Sequence, residues 1–192
     1  MNIAIFASGG GSNAAAILKH FEGHDCIRVA LMVTNNPNAG ALDVASNYGI
    51  ETLVVNREML YRSQAVLDLL EDRQIAFIAL AGFLWRIPND MLNKYPSRIV
   101  NIHPSLLPKY GGKGMYGHHV HNAVKASGDR FSGLTIHYVS EEYDAGQIII
   151  QLKCPVYPSD SAEDIAARVL RFEHVTYPIT IQDLVERLML RE

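Results

Sequence analysis

The sequence predicts an α/β fold: one doubly wound, mostly parallel sheet with helices on both faces, spanning residues 1–192 as a single domain. Three observations carry that prediction. Apolar runs of strand length alternate with stretches of helical pattern or connecting length, the order expected of parallel strands joined by crossovers. The first run, "NIAIFA", leads into "SGGGSN", a glycine-rich turn between a strand and a helix. A later run, "RIVNIHP", ends in polar groups at a proline. Ligands bind outside the carboxyl ends of strands in open sheets of this class, so a strand finishing in an amide and an imidazole marks a candidate site.

Element by element, strand 2–7 is followed by a helix over 13–22 and a second strand, "IRVALMVTN". A helix over 40–48 is predicted next, with Gly49 after "ALDVASNY" as its cap. Strand "ETLVV", a helix over 62–73, strand "IAFIALAG", a helix over 88–95 and strand "RIVNIH" continue the alternation, and another helix is predicted over 116–126. The pattern then changes to two strands, "FSGLTIHYV" and "QIIIQLKCPV", joined through "SEEYDAG". A closing helix starts near Ser161, where "SDSAEDIAARV" offers Ser159 or Ser161 as N-cap with acids in the first turn. No repeat or linker interrupts the chain.

Size and composition narrow the function. A chain of 192 residues that is 48% hydrophobic suits one well-packed core. Seventeen basic and 20 acidic side chains, a formal charge of −3, lie scattered without a basic stripe, which argues against a nucleic-acid partner. Cys26 and Cys154 each sit in an apolar stretch, so buried reduced thiols and a reducing cytoplasm are expected. The amino end carries no signal-peptide pattern, and no run approaches the roughly 20 apolar residues of a membrane span. A soluble cytoplasmic protein is the expectation.

Three stretches carry chemistry. In "SGGGSN" the glycines permit a tight turn, and the N–H groups of Gly11, Ser12 and Asn13 would face an anion at the positive end of the following helix. Three successive glycines exceed the needs of a plain turn, and phosphate is the natural guest. The same residues fit Gly9-x-Gly11-x-x-Ala14, a permissive dinucleotide fingerprint, but that reading wants an acid about 20 residues further on, and the second strand ends in "MVTNNPN" without one. In the second stretch Asn101 and His103 are two apart and face the same side of a strand, with Ile102 on the other. In the third, Asp144 precedes Ala145-Gly146 in the loop between the last two strands. It is either a turn-former or a carboxylate brought back over the sheet to His103. The histidines of "GHHVH" suggest a metal pair at His118 and His121, but without a third ligand nearby no metal is expected, and solvated or substrate-edge histidines are the plainer reading.

Taken together, "SGGGSN", "LAGFLWRIP", "NIHPSLLPKY", "SGLTIHYVSEEYDAG" and "RFEHVTYP" run in order across nearly the whole chain and resemble the glycinamide ribonucleotide transformylase branch of the folate-dependent formyltransferases. The "NIHPSLLP" motif with a later loop Asp is shared by folate formyltransferases in general, whereas S-G-x-G-S-N is specific to this branch. The additional domains of methionyl-tRNA formyltransferase and formyltetrahydrofolate deformylase are not expected here.

The resemblance implies a Rossmann-like formyltransferase fold, 10-formyltetrahydrofolate as co-substrate without a metal, and glycinamide ribonucleotide as acceptor. A monomer or a homodimer is expected, without a choice between them. The resemblance assigns Asn101, His103 and Asp144 as the catalytic trio, with Asp144 raising the His103 pKa. The nucleotide phosphate falls to Gly11, Ser12 and Asn13, and the ribose to Glu173, which as a helix residue could equally be exposed. The folate falls to Leu84, Trp85, Arg86 and Ile87 and to the loop Val139, Ser140, Glu141, Glu142 and Tyr143. Trp85 departs from an aliphatic family pattern, and either stacks on folate or turns into the core. Thr135 and His137 are candidate supporting partners, with a buried, satisfied His the plainer description of His137. Where the family has a shorter Pro-Gly turn, this chain carries "GGKGMYG", residues 111–117. Four glycines there predict a mobile loop, which is either an idle insertion or a lid using Lys113 and Tyr116. Three other readings stand beside this one: a formyltransferase for another small amine, a nicotinamide-dependent oxidoreductase, and a non-catalytic nucleotide-binding module.

Overall fold

A computed structural model describes residues 1–191. Its seven strands are β1 (Asn2–Phe6), β2 (Arg28–Thr34), β3 (Glu51–Val54), β4 (Ile75–Leu80), β5 (Ile99–His103), β6 (Phe131–Tyr138) and β7 (Ile148–Pro155). They lie in one sheet in the order β3-β2-β1-β4-β5-β6-β7. Pairing is parallel from β3 to β5 and antiparallel from β5 to β7. The helices are α1 (Ser12–Phe21), α2 (Gly40–Asn47), α3 (Arg57–Tyr61), α4 (Ala65–Asp72), α5 (Asn89–Lys94), α6 (His118–Ser127) and α7 (Ala162–Met189). The predicted doubly wound architecture is the one observed.

Alternation along each strand builds a core on either side of the sheet. Ile3 and Ile5 of β1, with Phe77 and Ala79 of β4, join α1, α2 and α7 in one cluster. Ala4 and Phe6, with Ile78 and Leu80, join α4 and α5 in the other. Fully burying such a side chain stabilises by roughly 1.5–3 kcal/mol, and filling both faces of the parallel strands is what a sheet with crossover helices requires. The chain runs from β1 outward to β3 and then returns to β4 on the other side of β1, so the crevice at the switch point opens over the ends of β1 and β4.

Local signals account for most boundaries. Ser161 caps α7 through a reciprocal capping box with Asp164, leaving Ser159 outside the helix. Gly49, in the left-handed region at φ 64°, follows the C-cap Tyr48 of α2. Two expectations need correction. The predicted helix 62–73 is shorter, being α4 over 65–72 after a break at Arg62–Gln64, and a helix that was not predicted, α3, precedes it, started by the Asn56 side chain accepting from the Met59 N–H. Cys26 is exposed, since it lies in the turn before β2, while Cys154 is buried as expected.

Candidate active site

The β5 residues Val100 and Ile102 point into the α7-side core, and so do Leu134 and Ile136 of β6. Alternation therefore puts Asn101 and His103, and across the antiparallel register His137 and Thr135, together on the opposite face. Here the 104–117 connection covers the sheet. Thr135 anchors it: its hydroxyl donates to the Ser105 carbonyl at 2.6 Å and accepts the Leu107 N–H at 3.0 Å. Thr135 thus positions the segment after His103 without reaching the cavity wall.

Asp144 returns from the β6–β7 loop to the centre of this face. Its Oδ2 accepts the Gly112 N–H at 2.9 Å and lies 3.4 Å from His103 Nδ1, while Oδ1 lies 3.6 Å from His137 Nε2. Of the two roles open to Asp144 in the sequence, the structure places it beside His103. Close packing is required here: a Cβ on Gly111 would stand 2.5 Å from Leu107 Cδ2 and 3.3 Å from Asp144 Cβ. Asp144 and Tyr110 hold left-handed backbone at φ 54° and 59°, conformations that bulky residues keep only when their surroundings impose them.

Carbonyl partners define both imidazoles, because a carbonyl can only accept. His103 Nε2 donates to the Tyr110 carbonyl at 2.7 Å, leaving Nδ1 to face Asp144. His137 Nδ1 donates to the Tyr138 carbonyl at 2.9 Å, so in the neutral ring Nε2 accepts from Asn101 Nδ2 at 3.2 Å. His137 is buried, as expected, but it also lines the cavity and fixes the orientation of Asn101. Burial pulls the His103 pKa below its ordinary value, outweighing the upward pushes of Asp144 and the Tyr110 carbonyl. The expected net rise is thereby reversed, and the resting ring is neutral at pH 7. Burial opposes ionisation of Asp144, yet His137, His103 and the Gly112 N–H together carry its pKa below the ordinary carboxyl value.

These groups open into a cavity of about 880 Å³. Ser12, Asn13 and Glu173 line it; Asn13 Nδ2 donates to Glu173 Oε2 at 2.7 Å. Glu173 is buried, and burial raises its pKa against the lowering effect of Asn13. Gly11 does not line the cavity: at φ 80° it packs beneath α2, where a Cβ would lie 2.7 Å from Ala41 Cα. Gly9 and Gly10 face the cavity in its place. Leu84, Trp85, Arg86 and Ile87 line the cavity too, as do Val139, Ser140, Glu141, Glu142 and Tyr143, the two segments joined by an Arg86 guanidinium hydrogen bond to the Glu141 carbonyl. Trp85 packs against the second core cluster and also lines the cavity, with Arg57 over its ring at 4.9 Å. Lys113 and Tyr116 form part of the wall over the catalytic face. The "GGKGMYG" segment starts packed on Asp144, contrary to a loop mobile throughout. Ser8 ties the crevice together, donating to Asn35 Oδ1 and accepting the Leu84 N–H.

His118 and His121 line the cavity, in keeping with the substrate-edge alternative, and the α7 residues Ala166 and Leu170 line it without having been assigned to it from sequence. The i, i+3 spacing of the histidines was a signal, but the face it occupied was not. Among the described residues, no group of three or more His, Cys, Asp or Glu side chains is arranged to hold a metal ion.

Known proteins align with this geometry. The formyl transferase family model matches residues 1–181. The chain belongs to the formyl transferase family. The resemblance read from the motifs is thereby borne out. A chloroplastic phosphoribosylglycinamide formyltransferase of Arabidopsis thaliana is 42% identical over 181 residues, covering 91% of this chain and 62% of that protein. The chain thus spans less than two thirds of that plant relative. The phosphoribosylglycinamide formyltransferase of Haemophilus influenzae is 34% identical over 99% of this chain and 90% of its own. The crystal structure of the enzyme of that name from Bacillus halodurans superposes with a TM-score of 0.85 at 34% identity, covering 96% of this chain and 95% of that one.

Proposed function

We propose that this formyl transferase moves the formyl group of 10-formyltetrahydrofolate to the amine of glycinamide ribonucleotide, in purine biosynthesis. One observation carries the reading: Asn101, His103 and Asp144 meet in one cavity that is also lined by a glycine turn, by Glu173 and by a mixed apolar and polar wall. The names of the relatives support the acceptor and the formyl group in this reading. The nucleotide phosphate lies at the turn formed by Gly9, Gly10, Ser12 and Asn13, with the ribose at Glu173. The folate lies between 84–87 and 139–143. Cytoplasmic placement belongs to the proposal; among the described residues, no helix is long and apolar enough to cross a membrane.

The amine nitrogen attacks the formyl carbon, a C–N bond forms, and charge develops on the formyl oxygen. Asn101 has one amide N–H engaged by His137 and a second available to that oxygen. The proton released by the amine must reach the folate nitrogen that leaves as its C–N bond breaks. His103 Nδ1 and Asp144 Oδ2, facing each other at 3.4 Å with no proton of their own at rest, can hold it between them in transit. A protonated His103 then adds positive charge beside the oxyanion. No proton is gained or lost overall. Incubating the purified protein with both substrates and following deformylated folate tests this. Absence of ribonucleotide-dependent deformylation would overturn it.

A further inference from the structure

The proton transfer at His103 needs one tautomer of its ring. A neutral imidazole carries a single N–H, and two acceptors compete for it: the Tyr110 carbonyl, 2.7 Å from Nε2, and the Asp144 carboxylate, 3.4 Å from Nδ1. With the proton on Nδ1, that nitrogen could not take the one released by the amine. The reaction therefore depends on the carbonyl keeping its place. That carbonyl belongs to a residue in left-handed backbone, φ 59°, a conformation a tyrosine holds only under constraint. We propose that the Tyr110 hydroxyl, clamped on Asp129, is a positioning group: it holds this turn, and through the carbonyl it keeps His103 in the Nε2–H form with Nδ1 open to the proton. This rests on the reaction proposed above.

The constraint lies at the far end of the side chain. Tyr110 Oη donates to Asp129 Oδ2 at 2.6 Å, with Ser127 Oγ also 2.6 Å away. Lys109 Nζ meets the same Oδ2 at 2.5 Å and stands 5.2 Å from the centre of the Tyr110 ring. Lys109 and the Tyr110 hydroxyl hold the Asp129 carboxyl below its ordinary pKa, so the acceptor is charged at pH 7. Asp129 lies in the turn between α6 and β6, so the clamp joins the connection over the catalytic face to the strand that carries Thr135 and His137. Downstream, Gly111 and Gly112 bring no side chain to hold the turn, and the Gly112 N–H leans on Asp144, the competing acceptor itself. The Tyr110 ring packs against the α7-side core, and neither Tyr110 nor Asp129 is in the cavity wall. The pair therefore acts through His103 and not on substrate.

Tyr110→Phe keeps the ring and removes the hydroxyl. Its kcat should fall about tenfold with both KM values near wild type, the kind of loss that follows displacement of a reacting group. The His103 imidazole nitrogen resonances, read in the unliganded protein, should show Nδ1 unprotonated in wild type and partly protonated in Tyr110→Phe. Asp129→Ala should reproduce both changes. Asp129→Asn, which keeps an oxygen to accept the hydroxyl proton, should retain most of the turnover and the wild-type tautomer. The double variant of Tyr110→Phe with Asp129→Ala should be no slower than either alone, because the two remove one interaction. A wild-type kcat in Tyr110→Phe, a lowered kcat with the His103 tautomer unchanged, or a protonated Nδ1 in wild type would overturn the assignment. So would an Asp129→Asn protein as impaired as Asp129→Ala. Should Tyr110→Phe fail to fold, the Asp129 pair decides. Wild-type protein that ignores the ribonucleotide would sink the substrate reading, whereas the resonances need no substrate and would still decide the clamp.

Discussion

Two halves of the same sheet treat the same face in opposite ways. Across β3-β2-β1-β4 that face carries Ala4, Phe6, Leu31, Val33, Ile78 and Leu80, covered by α4 and α5, with Leu80 at the carboxyl end of β4 also reaching the cavity. Across β5 and β6 it carries Asn101, His103, Thr135 and His137, covered only by the 104–117 connection and the β6–β7 loop. Backbone pairing is continuous between the halves, so side chains and not hydrogen-bond ladders separate scaffold from chemistry. The switch from parallel to antiparallel falls at the same place. A β6 that runs back beside β5 sets His137 opposite Asn101, and because α6, the helix between them, packs against α7, the face stays free for substrate.

The largest effect expected from this contrast is on turnover. Asp144→Asn removes the acceptor that shares a proton with His103, and His103→Ala removes its partner; each should lower kcat by about 10² to 10³. Folding and substrate KM should change little, because Gly112 and Tyr110 lose only one hydrogen bond apiece. Steady-state kinetics beside a thermal melt checks this, and near-wild-type turnover in either variant would dissolve the distinction between the halves.

Ligand protection gives the next effect. Glycinamide ribonucleotide at about 100 times its Kd should stabilise the protein by about 2.7 kcal/mol, whereas NAD and NADP should not. The reason lies at the end of β2, where a dinucleotide site needs an acid and this chain has Asn35, its amide oxygen engaged by Ser8. Thermal shift with the three compounds decides it; protection by NAD alone would return the glycine turn to the oxidoreductase reading.

In the scaffold half the effect should fall on stability instead. Ile78→Val, at a fully buried position, should cost about 0.5–1.5 kcal/mol in denaturant unfolding and leave both KM values unchanged. A kinetic change there would mean that the two halves are coupled through β4 and β5.

Legibility in the sequence followed the same division. Strand and helix alternation comes from local periodicity, so the scaffold could be read almost whole; the exception, α3, is a five-residue helix started by an Asn cap, too short to show a helical period of its own. The pairing of Asn101 with His103 was also local, being a two-residue spacing. The meeting of Asp144 with both His103 and His137 depends on the β5–β6 register and on a returning loop, which no local spacing encodes. The lowered His103 pKa escaped for a related reason: burial under the 104–110 segment outweighs the carboxylate, and burial is a property of the assembled fold. Glu173 was ambiguous because an acid on a helix has no period of its own, and only the packing of α7 makes it inward.

The smallest effect sharpens the boundary between the halves at residues 111–117. Gly111 packs on Asp144 and Leu107, and the Gly112 N–H is given to the Asp144 carboxylate, so the start of this segment is part of the catalytic face. Lys113, Gly114, Tyr116 and Gly117 are exposed at the cavity wall, and that stretch remains our candidate lid. Ligands filling the cavity should hold this outer part down. Protease cleavage after Lys113 or Tyr116 should therefore slow when both substrates, or the ribonucleotide with a non-reactive folate, are bound. Replacing 113–116 by Pro-Gly, which spares Gly112, should lower turnover by about tenfold, near 1.4 kcal/mol. That loss is smaller than for Asp144→Asn because the carboxylate keeps its backbone donor. Unchanged cleavage together with unchanged turnover would make the outer segment an idle insertion. A loss as large as that of Asp144→Asn would move the boundary outward, and make Lys113 and Tyr116 as much a part of the chemistry as the strand beneath them.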